Sequence, residues 1–246
     1  MMNLLHEIAR CPHVQFCLQN PLVEHPCREI ILSQSSSTLD EHQVPEPWSG
    51  RLEQAPILFL SSNPSIGSIE DYPRWLWSDD AIDDYFNNRF GDGYKAWIID
   101  GTKTLQNDGT HSRSVRFWVE VRQRARELLQ RNVVPGVDYA LTEIVHCKSR
   151  KEIGVTQAQR ECVPRYLRRV LEIATARVIV VLGTPAKKAM QGEFNIPERV
   201  TVFGPITISG REKLITFLPH PNARLVRSFA KCLAFHEIEK LRAFLC

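Results

Sequence analysis

The pattern of apolar and polar positions divides this chain into short apolar runs and longer periodic stretches. "PILFLSS" (residues 56–62), "DYALTEIVHC" (138–147), "RVIVVLG" (177–183) and "KLITFLPH" (213–220) read as strands. Between them lie stretches with the 3.6-residue period of a helix. "SVRFWVEVRQRARELLQR" carries Phe117, Val121, Leu128 and Leu129 on or near one face. "TQAQRECVPRYLRRVLEIA" opens on a capping-box pair, Thr156 and Gln159, and continues past Pro164. "TPAKKAMQGEF" has Pro185 at its start, and the last helix is expected to begin near Asn222. "MNLLHEIARC" shows helical spacing at Leu4, Leu5 and Ile8, and "VTVFGPITISG" suggests a small hairpin. Strands apolar on both faces that alternate with helices predict an α/β fold: three α/β/α layers around a mostly parallel, four-stranded sheet. Residues 34–55 are polar and rich in Ser and Pro, and read as a connecting or substrate-facing arm. The expected division is an N-terminal helix and arm over 1–55 and an α/β/α domain over 56–246, with residues 68–112 passing over the strand ends.

Composition changes this picture little. A 43% hydrophobic and 24% charged chain of 246 residues supports an ordinary globular core. Nothing in it approaches a bilayer-spanning run, and its first residues lack the basic and apolar regions of a secretory signal. Seven cysteines without a small-scaffold spacing favour a reducing, cytoplasmic setting. Charge adds more. Residues 1–110 carry 7 Lys and Arg against 16 Asp and Glu, and the remainder 24 against 12. A basic half fits a polyanion partner, although solvated helix faces give the same count.

Ligands of such sheets bind beyond the carboxyl ends of the strands. Two strand ends carry chemistry: Asn63 in "SSNPS" and His220 in "LPHPNAR". Each precedes a proline, which cannot continue a ladder and turns the chain sharply. Either residue alone is as well explained by turn formation or a structural hydrogen bond. As a pair they suit a hydrolysis whose leaving group departs as an anion. The amide orients water, and the imidazole stabilises charge.

The ordered motifs "ILFLSSNPSIG", "LTEIVHC", "VIVVLGTPAKKAM" and "FLPHPNAR" resemble the uracil-DNA glycosylase superfamily over about residues 56–235. The Asn-Pro of the first resembles the mismatch-specific and single-strand-selective branches. The last is similar to the His-Pro-Ser-Pro-Arg of the single-strand-selective branch, and the middle to an iron–sulfur-bearing branch. The resemblance implies a monomeric DNA glycosylase acting on DNA that contains a deaminated or damaged base, with no membrane partner. Asn63 would orient water, His220 would stabilise charge on the base, and Ser62, Pro64 and Ser65 would line the base site. Asn222, Arg224 and Leu225 would meet DNA, the last two as a wedge beside the flipped nucleotide. A ring after the first motif would stack on the base. Tyr72, Trp75, Trp77, Phe86 and Phe90 are available, and Phe90 is counted with the site.

Two features depart from the family pattern. Glu143 stands where an asparagine commonly reads uracil. Ionised, it offers acceptors only; protonated, it donates as well; or it pairs with an arginine and reads nothing. Cys147 and Cys162, 15 apart, resemble the C-terminal ligand pair of the iron–sulfur branch. That branch has an N-terminal Cys-x2-Cys, whereas this chain has Cys11-x5-Cys17, with Cys27 further on. Cys11, Cys17, Cys147 and Cys162 could ligate a [4Fe–4S] cluster, or stay free buried thiols. Two rivals to the glycosylase reading remain: a non-catalytic binder of damaged or abasic DNA on the same fold, and an unrelated small-molecule hydrolase.

Overall fold

A computed structural model describes residues 3–35, 38–67, 69–91, 93–223 and 228–246. Three short helices come first: α1 (Leu4–Ala9), α2 (Pro12–Gln19) and α3 (Arg28–Leu32). One helix was expected. Pro12 restarts the chain at the first position of α2, and Asn3 caps α1 by accepting from the His6 N–H at 3.0 Å.

The strand β1 (Ile57–Ser61) follows, then α4 (Asp79–Asn88) and a two-stranded ribbon of β2 (Ile98–Ile99) and β3 (Lys103–Thr104). Next come α5 (Arg116–Leu129), β4 (Tyr139–Glu143) and α6 (Val155–Cys162). A π-helical turn over Val163–Leu167 absorbs Pro164 before α7 (Arg168–Ile173). Then follow β5 (Val178–Leu182), α8 (Thr184–Phe194), β6 (Val202–Ile208) and β7 (Arg211–Leu218). The chain ends in α9 (Phe229–Cys232) and α10 (Phe235–Leu245). The single C-terminal helix expected from Asn222 is therefore corrected. Asn222 lies in a turn, and the described helix is interrupted at Leu233–Ala234.

The central sheet runs β4-β1-β5-β7-β6. Its first four strands are parallel, and β6 pairs antiparallel with β7. The sheet thus has five strands, not four. "VTVFGPITISG" forms no separate hairpin; it supplies the edge strand, returning through Ser209 and Gly210 at φ 48° and 75°, the left-handed pair of a tight hairpin turn. Alternation along the strands divides two cores. Leu58, Leu60, Ile179 and Val181 pack against the N-terminal helices and α6–α8, while Ile57, Phe59, Val178 and Val180 pack against α5, α9 and α10.

The segment read as a polar arm is not peripheral. Residues 42–50 are all buried. They run along the outer edge of β4, where Ser49 and Leu141 exchange both backbone bonds (2.8 and 3.0 Å) and the Glu46 N–H donates to His146 O at 2.8 Å. Pro45 and Pro47 tolerate this place because an outer strap needs donors on one side only. The strap carries Glu46 to the carboxyl end of the sheet. No described helix is long and apolar enough to cross a membrane.

Candidate active site

A cleft of about 420 Å³ opens beyond the carboxyl ends of β1, β4 and β7, within the range of small-molecule sites, roughly 300–1,000 Å³. Asn63, His220, Ser62, Pro64, Ser65, Glu143 and Asn222 all line it. Residues remote in sequence therefore meet in one place. The 68–112 excursion closes a wall with Ile69, Glu70, Thr104 and Gln106.

The β1 end explains the posture of Asn63. Pro64 has no N–H, and its carbonyl accepts from Ser149 N–H and from Asn63 Nδ2, both at 3.0 Å. That bond fixes the amide's orientation. Asn63 Oδ1 accepts from Ser62 Oγ at 3.3 Å, and a carbonyl oxygen retains a second lone pair for water. The Ser62 carbonyl is held by the Val145 N–H at 3.0 Å, and Ser65 bridges to Ser149. The loop is thus fastened to the segment leaving β4.

His220 follows β7 between two prolines. Its Nδ1 accepts from the Asn222 N–H at 3.2 Å. An accepting Nδ1 carries no proton, so the neutral ring carries it on Nε2 and is a donor there. Burial lowers the imidazole pKa against the opposing pull of Glu152, and so favours the neutral form at neutral pH. The ring lies 5.6 Å from that of Phe117, tilted by 35°. Gly183, at φ 84°, permits this approach, because a Cβ there would stand 3.1 Å from His220 Cβ.

The floor is ionic. Arg89 donates to Glu46 Oε1 (2.9 Å), Ser49 Oγ (2.6 Å), Glu70 Oε1 (3.2 Å) and Tyr85 Oη (3.0 Å). Lys148 donates to Glu70 Oε2 at 3.2 Å and lies 3.3 Å from the Tyr72 ring centroid. Burial would raise the Glu70 pKa, but Lys148 and Arg89 bring it below the ordinary value. Glu143 ends β4 opposite Ser61 on β1 and makes no salt bridge among the described residues. Burial, and then the Glu46 carboxylate, push its pKa well up against the pull of Arg89 and Lys148.

Phe90 is not brought to the cleft. Its ring packs 5.4 Å from Trp118 and 6.3 Å from Tyr139, beside a small depression near Gly136. Tyr72, Trp75, Trp77 and Phe86 serve the core or its margin. The aromatic side chains that line the cleft are Phe117 and Trp118, at the start of α5. Helical spacing assigns Phe117 to the buried face, and that face opens into the cleft at its first turn. Glu46, Glu70, Arg89 and Lys148 were also missed, since only the folded strap and excursion bring them together. Exposed Arg113, Arg116, Arg150 and Lys151 flank or join the lining in the chain. Arg224 and Leu225 lie outside the described residues.

The cysteines gather on the other side of Cys147. Cys11, Cys17, Cys27, Cys147 and Cys162 are all buried. Every pair among Cys11, Cys27, Cys147 and Cys162 interacts electrostatically, and Cys27 hydrogen-bonds to Cys162. Cys17 interacts with Cys11 and Cys147, and burial raises its thiol pKa to about 11. Within the expected set every pair interacts except Cys17 with Cys162, whereas Cys27 interacts with Cys11, Cys147 and Cys162. Among the described residues, no three His, Cys, Asp or Glu converge to hold a single metal ion. A [4Fe–4S] cluster takes one thiolate at each of four irons, and the buried thiols of Cys11, Cys27, Cys147 and Cys162 are four in number.

The model of the uracil DNA glycosylase superfamily matches residues 47–241. No curated protein matches the chain.

Proposed function

The chain belongs to the uracil DNA glycosylase superfamily, whose members are DNA glycosylases, and from that premise we propose that it hydrolyses the N-glycosidic bond of a deaminated or damaged base in DNA. The observation that carries this reading is that Asn63 and the Nε2–H tautomer of His220 line one cleft. In the reaction, a water held by Asn63 Oδ1 forms the new C–O bond at the sugar C1′, and the C1′–N bond breaks. Its electron pair leaves with the base, and His220 Nε2–H donates to the base oxygen on which charge collects. A preformed donor of this kind contributes about 10²–10³ in rate. Asn63 cannot take the water's proton, so its part is orientation rather than general-base catalysis, and that proton passes to solvent or to the departing base anion. Phe117 is the ring available for stacking, and the exposed arginines beside the cleft would meet phosphates.

Oligonucleotides containing uracil, hypoxanthine, xanthine or 5-hydroxymethyluracil, scored for alkali-labile sites, test the reading. Wild type is expected to cleave at one or more of them. Asn63→Ala and His220→Ala should each lose about 10²-fold or more. Undiminished cleavage by both variants would remove their assigned roles. Tight binding to abasic DNA without product from any base would favour the non-catalytic alternative.

The same reading extends to the thiols. Cys11, Cys27, Cys147 and Cys162 would hold a [4Fe–4S] cluster, which when bound supplies a covalent tie. The tie would join the N-terminal helices to the segment after β4 and to α6. Iron and acid-labile sulfide in anaerobically purified protein test this; a colourless, iron-free and fully folded preparation refutes it.

A further inference from the structure

Among the described residues that line the cleft, Arg89 Nε and Glu143 Oε2 are buried without a hydrogen bond, and the other two Arg89 nitrogens are fully engaged with Glu46, Ser49, Glu70 and Tyr85. Glu143 is 6% exposed, lines the cleft, and leaves Oε2 buried without a hydrogen bond. Around it the charges already cancel. Glu46 and Glu70 are two carboxylates, and Arg89 and Lys148 are the two cations bonded to them. An ionised Glu143 would be a third carboxylate with no cation of its own, in a site that burial makes unfavourable for charge. The direction of its ionisation agrees, since burial and Glu46 outweigh Arg89 and Lys148.

A protonated carboxyl presents one O–H donor beside one carbonyl acceptor. That pair is complementary to a lactam edge, one ring N–H beside one C=O, as in uracil, hypoxanthine and xanthine. An amide presents the same pair without needing a proton. We propose that Glu143 stands in the cleft as a neutral acid and determines specificity by reading the lactam edge of the extruded base, its carbonyl accepting from the ring N–H and its hydroxyl donating to the ring C=O. The proposal rests on the glycosylase reading and deepens it by naming the substrate class. Leaving-group chemistry points the same way: a lactam or imide anion delocalises its charge over carbonyl oxygens, which the amidine edge of cytosine does less well.

The charged and titratable groups facing Glu143 are Glu46 from the strap, Arg89 from the end of α4, Glu70, Tyr72 and Tyr85 behind them, and Lys148 from the segment after β4. Across the cleft stand His220, Lys151 and Glu152. Donation is lost as pH rises through the carboxyl's raised ionisation. Recognition in the wild type should therefore weaken at alkaline pH.

The decisive measurement is binding, which does not require turnover. Probes are oligonucleotides carrying hydrolysis-resistant 2′-fluorinated deoxyuridine, its N3-methyl derivative, or 2′-fluorinated deoxycytidine. Wild type and Glu143→Gln should each prefer the uracil probe by about tenfold or more, the cost of an unmatched buried polar pair. The preference should decline with rising pH in wild type and stay flat in Glu143→Gln. Glu143→Leu should lose it at all pH values. An infrared difference spectrum of wild type minus Glu143→Gln should show a protonated carboxyl at pH 7. A carboxylate band at pH 7, or a wild type indifferent to N3-methylation or to cytosine, overturns the proposal. Discrimination without excision of any base would instead defeat the hydrolytic reading and leave this one standing.

Discussion

Two buried polar clusters meet at one turn of chain, and they solve burial differently. Lys148 belongs to the ionic floor of the cleft, and its neighbour Cys147 belongs to the thiol cluster. The floor keeps its charges by pairing them, Glu46 and Glu70 against Arg89 and Lys148. The thiols need no counterions, because burial raises Cys11 and Cys147 and leaves them neutral, while Cys162 is held down by the hydrogen bond from Cys27. The lesson is that a buried charge is tolerated in proportion to its partners, and Glu143, lying beside the first cluster without a cation of its own, falls on the neutral side of that rule.

Removing one cation breaks the comparison most severely. Arg89→Met leaves Glu46 and Glu70 facing only Lys148, and is expected to cost about 3–5 kcal/mol in denaturant-induced unfolding. A loss under 1 kcal/mol would mean that water already reaches the pair. On the thiol side, Cys27→Ser should abolish most iron binding, whereas Cys17→Ser should retain the larger share. The reverse order would restore Cys17 as the fourth ligand. A smaller effect concerns the strap that delivers Glu46. Burial lowers the His42 pKa from 6.5 to about 4. A depressed histidine contributes full stability above the unfolded value, and loses it as pH falls from about 6.5 toward 4, because the unfolded chain takes up the proton first. Unfolding midpoints should fall over that window, and His42→Gln should flatten the fall. The smallest effect is that of Glu143→Gln on stability. Exchanging a neutral acid for an amide of the same shape should shift the midpoint little, whereas a marked stabilisation would reveal a charge that the floor had been carrying.

Legibility followed the range of the interactions. "ILFLSS" and "VIVVLG" are strands because both faces are buried, a property carried by consecutive residues. Asn63 and His220 were found because a proline after each one marks the strand end locally. The edge strand β6 was misread, since it is half-buried and interrupted at Gly204–Pro205, where the pairing register shifts. The strap was misread for the opposite reason. Its prolines and polar residues look like a loop, and its burial comes from backbone bonds to β4, far along the chain. Phe117 carried the right periodicity but sits where a helix face runs out of core and into the cleft. The raised ionisation of Glu143 depends on burial and on Glu46, and Cys27 bonds to Cys162; no spacing rule links those pairs.

The strap has a practical consequence for anyone cutting the gene. The stretch that matches the family begins at residue 47, one position after Glu46. A fragment trimmed to 47–241 would keep the whole family match, yet it would delete Glu46 from the lining of the cleft. Arg89 would lose its 2.9 Å carboxylate partner, and the surplus positive charge would favour ionisation of Glu143. Such a truncation should change which bases enter, even where it folds.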